Sequence, residues 1–213
     1  MKIVFLFYEE MTALDAIGPH EILCRLPGAQ VQRVAKNAGP IRSDSGLILT
    51  AENAISQVSH ADILLVPGAG NATTLRQYPE ILEWIRSIHK TTTWTTSVCT
   101  GSLILGAAGI LTGLRATSHW TALDRLNRWG ASPIEARIVE DGKVITAAGV
   151  SAGIDMALTL TAKIAGAPFA QAMQLAIEYD PKPPFDTGSP KKVDPIVRDI
   201  LYAQMTASFE NPS

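Results

Sequence analysis

Two short runs without a charged residue, Ile3-Val4-Phe5-Leu6-Phe7-Tyr8 and Ile63-Leu64-Leu65-Val66, constrain this chain more than anything else in it. Strands that are apolar at every position must be covered on both faces. A parallel sheet with helices above and below meets that demand, and the sequence supplies helices between the strands. The spacing predicts a helix over Thr12 to Leu26, with Thr12 as N-cap, Gly28 just past the end, and a kink or restart at Gly18-Pro19. Gln30 to Ala35 alternates as a second strand, and Ile41 to Thr50, around Ser45-Gly46, reads as a short strand pair. Pro79 to Lys90 keeps Ile81, Trp84, Ile85 and Ile88 on one helical face, with Pro79 in the first turn.

The second half continues the alternation. Thr93-Trp94-Thr95-Thr96 is β-prone and runs into Ser97-Val98-Cys99-Thr100-Gly101, after which Ser102 to Ala108 is small and apolar, hence helical. Arg115 to Ser118 predicts a short strand, and Thr121 to Trp129 a helix stopped by Gly130. Ile134 to Val139 and Val144 to Ala148 flank Glu140-Asp141-Gly142-Lys143, a hairpin signal. Ser151 to Ala165 is a helix with Ser151 as N-cap and Gly166 as its stop, and Ala170 to Tyr179 is another. The proline-rich stretch 180–190 is expected to wrap the surface as a loop, and Asp194 to Ser208 to form a final helix, with the last five residues of the sequence fraying after it. The expected architecture is α/β: a doubly wound, mostly parallel sheet sandwiched by helices, in one domain spanning 1–213.

With 46% hydrophobic and 18% charged residues the chain is too apolar for disorder. A net charge of −2 without a basic patch excludes nucleic acid as an expected partner. No apolar run approaches a membrane span, and the first eight residues are too short, and lack a cleavage site, for a signal peptide. Cys24 and Cys99 have neither a disulfide framework nor a zinc spacing, so no metal is expected and a reducing cytoplasm fits best.

Ligands of open α/β sheets bind beyond the carboxyl ends of the strands. Three loops meet that rule: Glu9 to Asp15, the turn after Val66, and the turn holding Cys99. A cysteine between strand and helix faces free N–H groups and the positive end of the helix dipole, both of which favour thiolate. Cys99 is therefore a candidate nucleophile, against the plainer reading of a small buried side chain. Among four histidines, His119 is the serious candidate for its proton partner, because it follows a strand on the cysteine side of the sheet; His60 and His89 read as solvated, His20 as packing or surface, and Cys24 as core. Asp15 lies in an apolar setting, Ala13-Leu14-Asp15-Ala16-Ile17, either as a desolvated proton carrier near Cys99 or as a first-turn aspartate facing its own helix dipole. Pro67-Gly68-Ala69-Gly70-Asn71 offers backbone N–H groups to an oxyanion, or is only a tight turn, and Gly149-Val150-Ser151 is either packing or pocket wall.

Together, Leu14-Asp15-Ala16-Ile17-Gly18-Pro19-His20, Ser97 to Gly109, Ala116 to Trp120, Ala152-Gly153-Ile154-Asp155 and Glu178 to Phe185 resemble the ThiJ/PfpI superfamily. More narrowly, they are similar to the isocyanide hydratases. Glyoxalase-like and deglycase-like members usually carry glutamate where Asp15 stands, and protease-like members a histidine where Thr100 stands. The resemblance implies a flavodoxin-like sandwich, a homodimer, and cofactor-free hydration of an isocyanide, a small-molecule substrate, to an N-substituted formamide. It implies Cys99 as nucleophile, Asp15 as proton carrier, a thioimidate intermediate, and Thr100 and Val150 lining the pocket beside Gly68, Gly70 and His119. The turn from Gly68 to Gly70 is less glycine-rich than the resemblance leads one to expect. Competing readings are a glyoxalase or deglycase of the same superfamily, a thiol-redox sensor, or a ligand sensor of the kind joined to helix-turn-helix modules; a chain ending at Ser213 leaves no room for such a module.

Overall fold

A computed structural model of the chain describes residues 1–70 and 78–210, the side chains of 208–210 excepted. The sheet is built from β1 (Lys2–Leu6), β2 (Gln30–Ala35), β5 (Asn53–Ala54), β6 (Ile63–Val66), β7 (Trp94–Val98), β10 (Ile138–Asp141) and β11 (Val144–Ala147). Their spatial order is β10-β11-β7-β6-β1-β2-β5, parallel throughout except for the β10–β11 pair at one edge. Ile3 to Leu6 and Ile63 to Val66 are all 0% exposed, which explains why neither run carries a polar residue. Two small pairs stand apart, β3 (Gly39–Arg42) with β4 (Ile48–Ala51), and β8 (Arg115–Ala116) with β9 (Ser132–Pro133).

Helices cover the sheet. α1 (Ala13–Leu23) packs on α4 (Ala152–Ala165), which also carries α5 (Ala167–Ala176). α2 (Pro79–His89) meets α3 (Gly101–Ala107), and α6 (Pro195–Glu210) ends the described chain. This is the doubly wound, flavodoxin-like α/β architecture. No helix among the described residues is long and apolar enough to cross a membrane.

Several local expectations need correction. α1 runs through Pro19 as one helix; Pro19 is buried against α4, where a Cβ on Gly153 would come within 3.0 Å of its Cγ, and that packing outweighs the lost N–H. Thr12 and Ser151 precede their helices without capping them by their side chains. The Thr12 hydroxyl donates instead to Asp44 Oδ2 at 2.6 Å. Leu123–Trp129 forms 3-10 turns rather than an α-helix, although Gly130 does end it in the left-handed region. β8 covers only half of its predicted run, and β5 carried no sequence signal of its own. Residues 180–190 hold neither helix nor strand, as expected. Asn71 of the glycine turn and the last three residues of the expected fraying end lie outside the described residues.

Candidate functional site

The carboxyl ends of β1, β6 and β7 bring three loops together. β7 delivers Cys99 at φ 58°, in the left-handed region that a side chain rarely enters. Four hydrogen bonds hold it there. Its N–H donates to Ala147 O (3.1 Å) and Ala148 O (2.8 Å), while its carbonyl accepts from Ser102 Oγ (3.2 Å) and Ser118 Oγ (3.1 Å). Surroundings that over-determine a strained residue are a mark of functional sites. The side chain is 6% exposed, and that opening faces a cleft of about 290 Å³.

Asp15 arrives from the first turn of α1 and is 0% exposed. It does not serve its own helix. Its Oδ2 accepts the Gly68 N–H at 2.8 Å, and its Oδ1 is buried without a hydrogen-bond partner of good geometry. The thiol of Cys99 lies against this carboxyl and is its electrostatic partner. Burial raises the Asp15 carboxyl from the ordinary 3.8 to about 7, opposed by the Gly68 N–H and aided by the negative charge of Asp44. Burial and the Asp15 charge also push the Cys99 thiol well above its ordinary range. The N–H and hydroxyl of Thr100 pull the other way, as a helix start should, but lose to burial. Burial thus opposes the thiolate that the helix start favours, and it raises the neighbouring carboxyl as well.

The remaining expected residues divide. Thr100, Val150, Gly70 and His119 line the cleft with Cys99. Thr100 Oγ1 also clasps the loop after β6, accepting from Ala69 N–H at 2.9 Å and donating to Ala69 O at 2.7 Å. Gly68 does not line the cleft, and its N–H is already given to Asp15 rather than to an oxyanion. A Cβ there would lie 2.6 Å from Thr100 N and 2.9 Å from Asp15 Oδ2, so only glycine lets the two loops meet. His119 Nδ1 faces the Thr121 N–H (3.4 Å) and hydroxyl (2.8 Å), which leaves the ring proton on Nε2. Burial lowers its proton affinity, which favours the neutral ring beside the cleft.

Thr12, Asp44, Thr121 and Met205 also line the cleft, and no sequence signal marked them as site residues. Thr12 and Asp44 join the rim through their mutual hydrogen bond, and Met205 reaches in from α6. Tyr202 of the same helix meets Trp120 in a tilted ring contact, 5.7 Å between centroids. A larger cleft of about 380 Å³ opens at the ends of β1 and β2, but its described lining holds no cysteine or histidine, and its Lys36 is paired with Glu80. No group of three or more metal-binding side chains occurs among the described residues.

The chain is 42% identical over 210 residues to an isonitrile hydratase of Pseudomonas putida, covering 99% of this chain and 92% of that protein. It is 30% identical over 135 residues to the HTH-type transcriptional regulator CdhR of Pseudomonas aeruginosa, covering 62% of this chain and 40% of that one. Among solved structures, a ThiJ/PfpI family protein from Pseudomonas syringae superimposes with a TM-score of 0.94 at 40% identity, covering 98% of this chain and 86% of that chain. Residues 1–163, which carry Asp15 and Cys99, match the DJ-1/PfpI family, and the chain belongs to that family.

Proposed function

We propose that this protein hydrates isocyanides to N-substituted formamides, with Cys99 as nucleophile and Asp15 as proton carrier. The observation that carries the reading is the buried Asp15 carboxyl against the Cys99 thiol at the floor of a cleft. The likeness over nearly the whole chain to a protein named isonitrile hydratase supports it.

The chemistry follows from that pair. The terminal carbon of an isocyanide bears a lone pair and accepts a nucleophile only if that carbon is protonated. Ionised Asp15 takes the proton of Cys99 as sulfur bonds to the carbon, and delivers it to the same carbon. The product is a thioimidate, S–CH=N–R. A buried carboxyl raised to about 7 is a stronger base than an ordinary aspartate and can hold the proton between the two transfers. Water then adds to the thioimidate carbon while nitrogen gains a proton. Collapse of the adduct breaks the C–S bond, returns the electron pair to sulfur and a proton to the thiol, and frees R–NH–CHO. The sum is R–NC plus water, with no oxidant or cofactor required. In this reading His119, which lines the cleft, orients substrate and water.

The reading includes a homodimer in a reducing cytoplasm, where Cys99 stays a thiol. Ile196, Val197, Ile200 and Leu201 on α6 leave an exposed apolar row that a second copy can cover. Incubation with an aryl isocyanide, with formamide followed by chromatography, tests the activity, and Cys99→Ala is the blank. Methylglyoxal run alongside separates the hydratase from a glyoxalase. Turnover of methylglyoxal alone, or of neither compound by a folded protein, removes the reading.

A further inference from the structure

The isocyanide group is uncharged, so the cleft's charge acts on the rest of the substrate. The described lining contains no lysine or arginine. Burial favours the neutral ring of His119 over its cation. Ala69, Val150 and Met205 give apolar walls. Against these stands one solvent-facing carboxylate, Asp44, in the tight β3–β4 turn.

Asp44 is not a freely swinging surface side chain. Its N–H donates to Met11 O at 3.1 Å, and its Oδ2 accepts the Thr12 hydroxyl at 2.6 Å. Below it, Ser43 Oγ takes the Leu47 N–H at 3.0 Å and closes the turn. Among the described residues no lysine or arginine forms an ion pair with it. Its charge is felt at Asp15, so its field reaches the reacting end of the cleft.

Resting on the hydratase reading, we infer that Asp44 selects isocyanides whose organic substituent carries a cation. Such a substituent, extending from Cys99 toward the rim, meets a fixed carboxylate that has no lysine or arginine ion-paired to it among the described residues. An anionic substituent meets the same charge as repulsion, and the preference weakens as salt rises.

The test compares two probes of one shape, 2-(trimethylammonio)ethyl isocyanide and its uncharged isostere 3,3-dimethylbutyl isocyanide. The wild-type protein and Asp44→Asn are assayed at low and high salt. Asparagine keeps an acceptor for the Thr12 hydroxyl, so the turn is retained. The expected ratio of kcat/KM, cation over neutral, is about fivefold at low salt, the upper end for a partly exposed ion pair. It should fall toward one at high salt and in Asp44→Asn, whatever that variant does to the neutral rate through Asp15. A ratio near one in the wild type, or a ratio unchanged in Asp44→Asn, overturns the inference while neutral turnover leaves the hydratase reading standing. Formamide from neither probe overturns both.

Discussion

The N–H of Gly68 and the carboxylate of Asp15 meet at 2.8 Å across 53 residues of chain. That bond holds one carboxylate oxygen and leaves the other, Oδ1, buried without a hydrogen-bond partner among the described residues. Replacing Gly68 by alanine would drive a methyl group to 2.6 Å from Thr100 N. Backbone, not a flexible side-chain end, stands in its way. Gly68→Ala is expected to lose about 1–3 kcal/mol of stability and most isocyanide turnover. Chemical denaturation beside formamide assays checks both.

Asp15→Asn removes the proton carrier but keeps an acceptor for the Gly68 N–H. Turnover should fall about 10²–10⁴-fold, the range for loss of a positioned acid–base group. With the negative charge gone, the Cys99 thiol should ionise at lower pH than in the wild type, because Asp15 is one of the causes of its upward shift. Thiolate absorbance followed against pH reads this directly. A Cys99 titration unmoved by the substitution would show that the two groups do not communicate.

Asp15 also links folding to pH. Its carboxyl rises from 3.8 in an ordinary aspartate to about 7 in the fold, so the native state holds a proton that the unfolded chain releases. The resulting stability is fully present below pH 4 and is lost as pH rises through about 7. The loss is on the order of a few kcal/mol. Asp15→Asn should flatten this slope. Activity should run in the opposite direction, rising through the same window as Asp15 becomes able to accept the thiol proton. Denaturation and initial rates between pH 4 and 8 test the pair of trends.

The backbone of Cys99 stands at φ 58°, and relieving that conformation should be measurable. Cys99→Gly and Cys99→Ala both lack sulfur and both should be inactive. The glycine variant should be the more stable by about 1 kcal/mol, since only alanine retains a Cβ in the left-handed region. Thermal unfolding of the two side by side decides it.

Much of this was legible in the sequence because the sheet imposes local demands. Ile3–Leu6 and Ile63–Val66 had to be apolar at every position, and Cys99 sits between a β-prone run and a helix. The carboxyl-end rule brought Asp15 toward Cys99 before any distance was known. What escaped depends on contacts between distant segments. Thr12 reads as a helix cap until Asp44, 32 residues later, offers a better acceptor. Gly68 reads as an oxyanion donor until Asp15 takes its N–H. The upward push on the Cys99 thiol follows from how deeply the fold buries it, which spacing does not encode. Asp44 and Met205 reach the cleft only through the packing of a hairpin and of the last helix.

Met205 and Tyr202 have a consequence for how such proteins diversify. Asp15 and Cys99 lie within the span matching the family, while α6, which contributes Met205 to the cleft, lies beyond residue 163. One piece of the cleft wall, Met205, is thus written in a stretch of chain apart from the rest of its described lining. A change of tail can alter which molecules enter without disturbing the sulfur or the carboxyl group beneath it.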